Sequence, residues 1–199
     1  KEVYNAESVV LIPGGGTYGM EAVARQFATN KDCLVIRNGW FSYRWSQILE
    51  MGNIPSKMTV LKALQKNPGS QEPFSPVFID EVVKKIKSEK PAMVFAPHVE
   101  TSAGIILPDD YIKSVSEAVH SVGGMFVLDC IASGAIWVDM EKCGVDILVS
   151  APQKGWSASP AFGMVMLSSN ASEKIHNTKS TSFSCDLLKW LQMMQAYEN

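Results

Sequence analysis

The sequence predicts an α/β fold in three layers, a mainly parallel sheet with helices on both faces. Three observations carry this expectation. Short apolar runs of strand length alternate with helical patterns along most of the chain, the signature of parallel strands joined by crossovers. One of these runs, Met125-Phe126-Val127-Leu128, is apolar throughout, as a buried strand is. The residues with chemical potential, Asp129 and Lys154 above all, come directly after such runs, where the strand ends of an open α/β sheet face a ligand crevice.

Taken in order, Ser8 to Ile12 reads as a strand leading into a glycine cluster, and Tyr18 to Thr29 as the helix that follows. Cys33 to Ile36 is a short strand ending in the turn Asn38-Gly39. Phe41 to Glu50 is helical, Ser56 to Leu61 is a strand, and Lys66-Asn67-Pro68-Gly69-Ser70 is a loop. Ser75-Pro76 is expected to open a helix through Lys87, with serine as the cap and proline in the first turn. Pro91 to Pro97 reads as a strand. Pro108-Asp109-Asp110 starts a helix that reaches His120 and stops at Gly123-Gly124. Strands at 125–129 and 146–150 follow, then Gly163 to Leu167 as a further strand, expected to run antiparallel. The final residues read as helix.

A length of 199 residues can bury a substantial core and suggests one domain over 1–199. Hydrophobic residues at 46% and charged residues at 19% are globular composition. A net charge of −2 gives no electrostatic case for nucleic acid or a membrane surface as partner. No apolar run reaches the ~18 residues of a membrane span. Lys1-Glu2-Val3-Tyr4-Asn5 has no apolar segment of the signal-peptide kind. Cys33, Cys130, Cys143 and Cys185 are scattered, with no histidine at metal spacing. They read as reduced thiols of a cytoplasmic protein, not as a disulfide framework or a metal site.

The chemistry starts with Asp129 and Lys154. The second lies in Ala151-Pro152-Gln153-Lys154-Gly155-Trp156, after the run 146–150, and 25 residues separate the two. That leaves room for a crossover and one parallel strand. A carboxylate and an amine delivered to one crevice suit pyridoxal phosphate, whose aldehyde needs a Schiff-base lysine and whose ring nitrogen needs an acidic partner. Lys84, Lys85 and Lys87 look instead like a solvated helix face.

The cluster Pro13-Gly14-Gly15-Gly16-Thr17-Tyr18-Gly19 sits between a strand and a helix, where free amides and the helix dipole hold phosphate. Gly14, Gly16 and Gly19 also satisfy the dinucleotide fingerprint. That fingerprint needs an acidic residue about 20 positions on, and the next strand ends Val35-Ile36-Arg37-Asn38. Since an arginine suits a 2′-phosphate, a nucleotide-binding oxidoreductase using Gly14 to Gly19 stands as the alternative. His98, at a strand end, reads as a structural histidine before it reads as a proton carrier.

Four stretches in sequence order resemble the class V aminotransferases, within the fold-type I pyridoxal phosphate enzymes. They are the glycine cluster; Asn38-Gly39-Trp40-Phe41-Ser42-Tyr43-Arg44; Pro97-His98-Val99-Glu100-Thr101-Ser102-Ala103-Gly104; and Val127 to Ser133 together with Ser150 to Lys154. The chain is most similar to alanine–glyoxylate and serine–glyoxylate aminotransferases, over roughly residues 8 to 170. The resemblance implies that Gly15, Gly16 and Thr17 cup the cofactor phosphate with Gln153, and that Phe41, beside Trp40, stacks on the ring. It implies that Thr101 bonds the phenolic oxygen, Asp129 pairs with the ring nitrogen and Lys154 forms the Schiff base, with no metal. Ala151 and Pro152 depart from the small hydroxyl residues of the family, which removes one phosphate contact. The implied reaction moves an amino group between a small amino acid of the alanine or serine type and a 2-oxo acid of the glyoxylate or pyruvate type, in a homodimer with shared active sites. Desulfurases carry histidine where this chain has Gln153, which favours the transaminase over a desulfurase or hydrolase. Family members are longer, so the chain is expected to be a cofactor domain without the small carboxy-terminal domain. The arginine for the substrate carboxylate would then lie beyond Asn199.

Overall fold

A computed structural model describes residues 1–69 and 71–198. Its elements run β1 (Ser8–Pro13), α1 (Gly16–Phe27), β2 (Asp32–Arg37), α2 (Trp40–Met51), β3 (Lys57–Lys62), α3 (Ile79–Glu89) and β4 (Met93–Pro97). A two-residue hairpin, β5 (Val99–Glu100) and β6 (Ile105–Ile106), precedes α4 (Asp109–His120) and β7 (Met125–Asp129). The remainder is α5 (Met140–Cys143), β8 (Ile147–Ser150), β9 (Phe162–Leu167), α6 (Ser169–Lys174) and α7 (Leu187–Glu198).

The main sheet has seven strands in the order β1-β9-β8-β7-β4-β2-β3. Neighbours from β3 through β8 pair in parallel, and β9 runs antiparallel to both β8 and β1. Six strands therefore point the same way, which gathers their carboxyl ends along one edge. The crossover expected between residues 129 and 154 is present, with the four-residue α5 joining parallel β7 and β8.

Alternation along the central strands sorts the core into two layers. Val35, Phe95, Val127 and Val149 face one side, with residues of α1, α2 and α7. Leu34, Val94, Phe126 and Leu148 face the other, with residues of α3 and α4. Both faces are covered, which is why these strands are apolar without alternation. Trp45 on α2 packs on Phe95 of β4 with ring centroids 4.7 Å apart.

Two expectations are corrected. The helix assigned to Ser75 begins four residues later, at Ile79, and Ser75 does not cap it. Ser75 exchanges both backbone hydrogen bonds with Leu64 at 2.9 Å, so its backbone is committed to a bridge. Phe78 in extended conformation precedes the helix, with no side-chain cap bond. The strand assigned from Pro91 begins at Met93. The loop at 66–69 is irregular as expected, and Ser70 lies outside the described residues. No helix among the described residues is long and apolar enough to cross a membrane.

Candidate active site

The carboxyl ends of β2, β4, β7 and β8 deliver Asn38, His98, Asp129 and Ala151 to the same edge. Asp129 lies opposite Pro97 of β4 and Val149 of β8. Its carbonyl accepts from the His98 amide at 2.8 Å, and the next amide, Cys130, donates to Val149 O at 2.8 Å. Asp129 is 8% exposed, and among the described residues its side chain accepts one hydrogen bond in good geometry, from the Ile131 amide at 3.0 Å. Burial is the main reason that its pKa is pushed up to about 6. The Ile131 amide, the Arg44 charge and the Trp45 indole N–H pull it down, and Glu100 pushes it up. Trp45 Nε1 lies near the carboxylate yet meets no partner in good hydrogen-bond geometry.

The start of α1 sits over this edge. A Cβ on Gly16 would meet Ile131 Cδ1 at 2.5 Å and Ala151 Cβ at 3.3 Å. Only glycine lets the helix start approach the loops after β7 and β8 so closely. No side chain caps α1, so its first amides open toward the crevice. Gln153 Nε2 lies 3.8 Å from where a Cβ on Gly15 would stand. Thr17 Oγ1 accepts from Arg44 Nη1 at 3.1 Å. The structure thus brings Gly15, Gly16, Thr17 and Gln153 together and adds Arg44, which also hangs 5.8 Å from the centre of the Phe41 ring.

Phe41 owes its place to a carboxylate that the sequence analysis passed over. Glu100, fully buried on β5, accepts from the amides of Phe41 (3.1 Å) and Ser42 (2.8 Å), and from the hydroxyls of Ser42 and Ser102 at 2.6 Å each. Ser102 Oγ accepts from the Trp40 amide at 2.8 Å. The first turn of α2 is therefore capped from across the fold, by an anion that favours the positive helix end. Burial alone would raise the Glu100 pKa. The combined bonds from Ser102, Ser42 and the Phe41 amide outweigh it and hold the carboxyl below its usual range. Thr101, between these partners in the turn from β5 to β6, is exposed.

Lys154 is exposed, in the irregular segment after β8. That segment is locked to the loop after Asp129, because a Cβ on Gly155 would stand 1.8 Å from the Gly134 carbonyl oxygen. The aspartate and lysine loops thus touch backbone to backbone. His98 serves the framework: its Nδ1 lies 2.7 Å from Ser133 Oγ, and burial lowers its pKa. Among the described residues no three His, Cys, Asp or Glu side chains converge as metal ligands. Arg44 had a readable signal, since it follows Phe41 by three residues on one helix face. Glu100 and Trp45 had none, because their partners come from distant segments.

An open sheet whose six same-direction strands end at one crevice, with a single reversed strand at β9, is the architecture of the fold-type I pyridoxal phosphate enzymes. The aminotransferase class-V profile matches residues 1–197, and the chain belongs to that family, whose members depend on pyridoxal phosphate. It is 31% identical over 182 residues to a 2-aminoethylphosphonate–pyruvate transaminase of Vibrio vulnificus, covering 89% of this chain and 46% of that protein. It is 28% identical to the alanine–glyoxylate aminotransferase of Rattus norvegicus, covering 89% and 41%. In structure it matches the ureidoglycine–glyoxylate aminotransferase of Bacillus subtilis with a TM-score of 0.81 at 23% identity, over 100% of this chain and 48% of that one. The chain spans about half the length of the curated relatives it matches. Membership in that family sets aside the nucleotide-binding oxidoreductase as the alternative.

Proposed function

We propose that the protein is a pyridoxal-phosphate-dependent aminotransferase acting through Lys154, with a small amino acid of the alanine or serine type and a 2-oxo acid of the glyoxylate or pyruvate type as substrates. One observation carries this reading. Among the described residues Asp129 is a buried carboxylate with a single hydrogen bond in good geometry, and burial pushes its pKa up to about 6. A protonated pyridine nitrogen is the partner it lacks, and would return it to the charged form.

The other groups fit the rest of the cofactor. The open amides at Gly15, Gly16 and Thr17, with Gln153 and the Arg44 guanidinium, suit a phosphate. The partly exposed Phe41 ring offers a face for a flat heterocycle, and Thr101 offers a hydroxyl. When bound, the cofactor supplies an aldehyde that exchanges between amines and a ring that draws electron density. Lys154 Nζ is the amine for that aldehyde and the proton carrier in the crevice. Asp129 holds the ring nitrogen protonated. The similarity to alanine–glyoxylate and aminoethylphosphonate–pyruvate transaminases supports a small amino donor. A homodimer that shares its active sites, in the cytoplasm, completes the proposal.

The test is a half-reaction. Protein loaded with pyridoxal phosphate is mixed with alanine, serine, 2-aminoethylphosphonate or cysteine while the visible band and the released product are followed. The reading expects alanine or serine to bleach the band with release of the 2-oxo acid, and glyoxylate or pyruvate to restore it. Bleaching by 2-aminoethylphosphonate alone would move the substrate assignment. Sulfide from cysteine without oxo acid would overturn the transaminase reading.

A further inference from the structure

Lys154 is held through its own backbone and its neighbours in sequence. Its amide meets Ala151 O at 3.4 Å, and its carbonyl accepts from Ser157 N at 3.1 Å. Ser157 sits in left-handed backbone, φ 51°, a conformation that a serine keeps only where its surroundings hold it. Two residues beyond the lysine, Trp156 packs on Trp137 with ring centroids 4.9 Å apart at 54°. Trp137 belongs to the loop after Asp129. Tyr4, from the short 3-10 turn Glu2–Tyr4, closes the triangle: 5.7 Å and 80° to Trp137, 6.0 Å and 56° to Trp156.

The three rings come from segments far apart in sequence and meet beside the contact between Gly134 and Gly155. Tyr4 is buried, and its hydroxyl donates to Ser150 Oγ at 3.2 Å, on the last residue of the strand that launches the lysine loop. Trp137 and Trp156 remain 41% and 38% exposed and pack on each other and on Tyr4, which belongs to the core layer of α3 and α4. Aromatic pairs in tilted and edge-on geometry hold rings with orientation as well as area.

We propose that Tyr4, Trp137 and Trp156 form an aromatic clasp that fixes the lysine loop against the aspartate loop, with Trp156 as the positioning residue for Lys154. This rests on the assignment of Lys154 above. The clasp sets where the amine stands relative to Asp129 without touching the cofactor. It also makes the amino-terminal segment part of the site's framework.

The experiment compares Trp156→Ala, Trp156→Phe, Tyr4→Phe and Lys154→Ala with the unaltered protein. Amide hydrogen exchange over 130–139 and 151–158 is read without cofactor, and the pH midpoint of the visible band with it. The clasp predicts exchange about tenfold faster in both loops of Trp156→Ala, unchanged exchange in β2 and β4, and a shifted band midpoint. Trp156→Phe restores both readings. Tyr4→Phe, which keeps the ring but loses the hydroxyl that meets Ser150 and the Trp156 indole, gives a smaller change of the same kind and serves alone if Trp156→Ala does not fold. Wild-type exchange in 151–158 together with an unmoved midpoint overturns the clasp. Lys154→Ala separates the two claims: it should keep wild-type exchange but lose borohydride-stable cofactor. If it keeps that label, the lysine assignment fails and the exchange data still judge the clasp.

Discussion

Two aspartates lie buried at opposite ends of the β7–β8 pair, Asp129 at 8% exposure and Asp146 at 3%. Asp146, just ahead of β8, accepts from His120 Nε2 at 2.7 Å, from the Phe126 amide at 2.8 Å and from Asn170 Nδ2 at 2.7 Å. It ties α4, β7 and α6 together at the amino ends of the strands. Asp129, at the carboxyl ends, has among the described residues one donor in good geometry, the Ile131 amide, with the Trp45 indole N–H nearby. Saturating a buried carboxylate with donors builds a framework. Leaving one short of donors costs stability and keeps it available for a ligand. A cavity of about 710 Å³ adjoins Asp146, so a cavity by itself does not mark the ligand end. Donor count does.

Removing the saturated carboxylate has the largest expected effect. Asp146→Ala strands three donors and should destabilise the protein by about 3–5 kcal/mol in urea unfolding. A loss under 1 kcal/mol would mean that Asp146 is no framework residue.

Asp129 should respond with the opposite sign. Its pKa of about 6 against the ordinary 3.8 means that the folded state keeps a proton which the unfolded state gives up. Cofactor-free stability therefore falls as pH rises from about 4 to 6 and stays low above. Asp129→Asn should remove that decline and gain roughly 3 kcal/mol at pH 8, while weakening cofactor binding. Thermal unfolding against pH, with cofactor absent, checks it. A variant less stable than wild type at pH 8 would break the comparison.

His120 gives the smallest effect. The hydrogen bond to Asp146 raises its pKa, against burial and the Lys174 charge. Its charge-dependent contribution is complete below the ordinary histidine value and is lost as pH rises through the raised one. His120→Gln should therefore differ from wild type more at pH 5.5 than at pH 9 in the same unfolding assay.

The two ends also differ in how far they could be read. Strands β2, β4, β7 and β8 were legible because burial on both faces forces continuous apolar runs. Asp129 and Lys154 were legible as candidates because they follow such runs, and the glycine cluster because it joins a strand to a helix. Ser75 misled because local capping chemistry yielded to a backbone bridge with Leu64. The hairpin of β5 and β6 escaped because two-residue strands have no periodicity. Glu100 escaped because its partner Ser42 lies 58 residues away. The Asp146 hub was hidden for the same reason, its ligands coming from positions 120, 126 and 170.

The central claim is that Asp129 and Lys154 serve one cofactor. The most direct measurement is to add pyridoxal phosphate, reduce with borohydride, digest, and locate the added mass by peptide sequencing. The account predicts one label per chain, on the peptide containing Lys154, and none at that site in Lys154→Ala. A label spread over Lys84, Lys85 and Lys87, or a single label on another lysine, would contradict it.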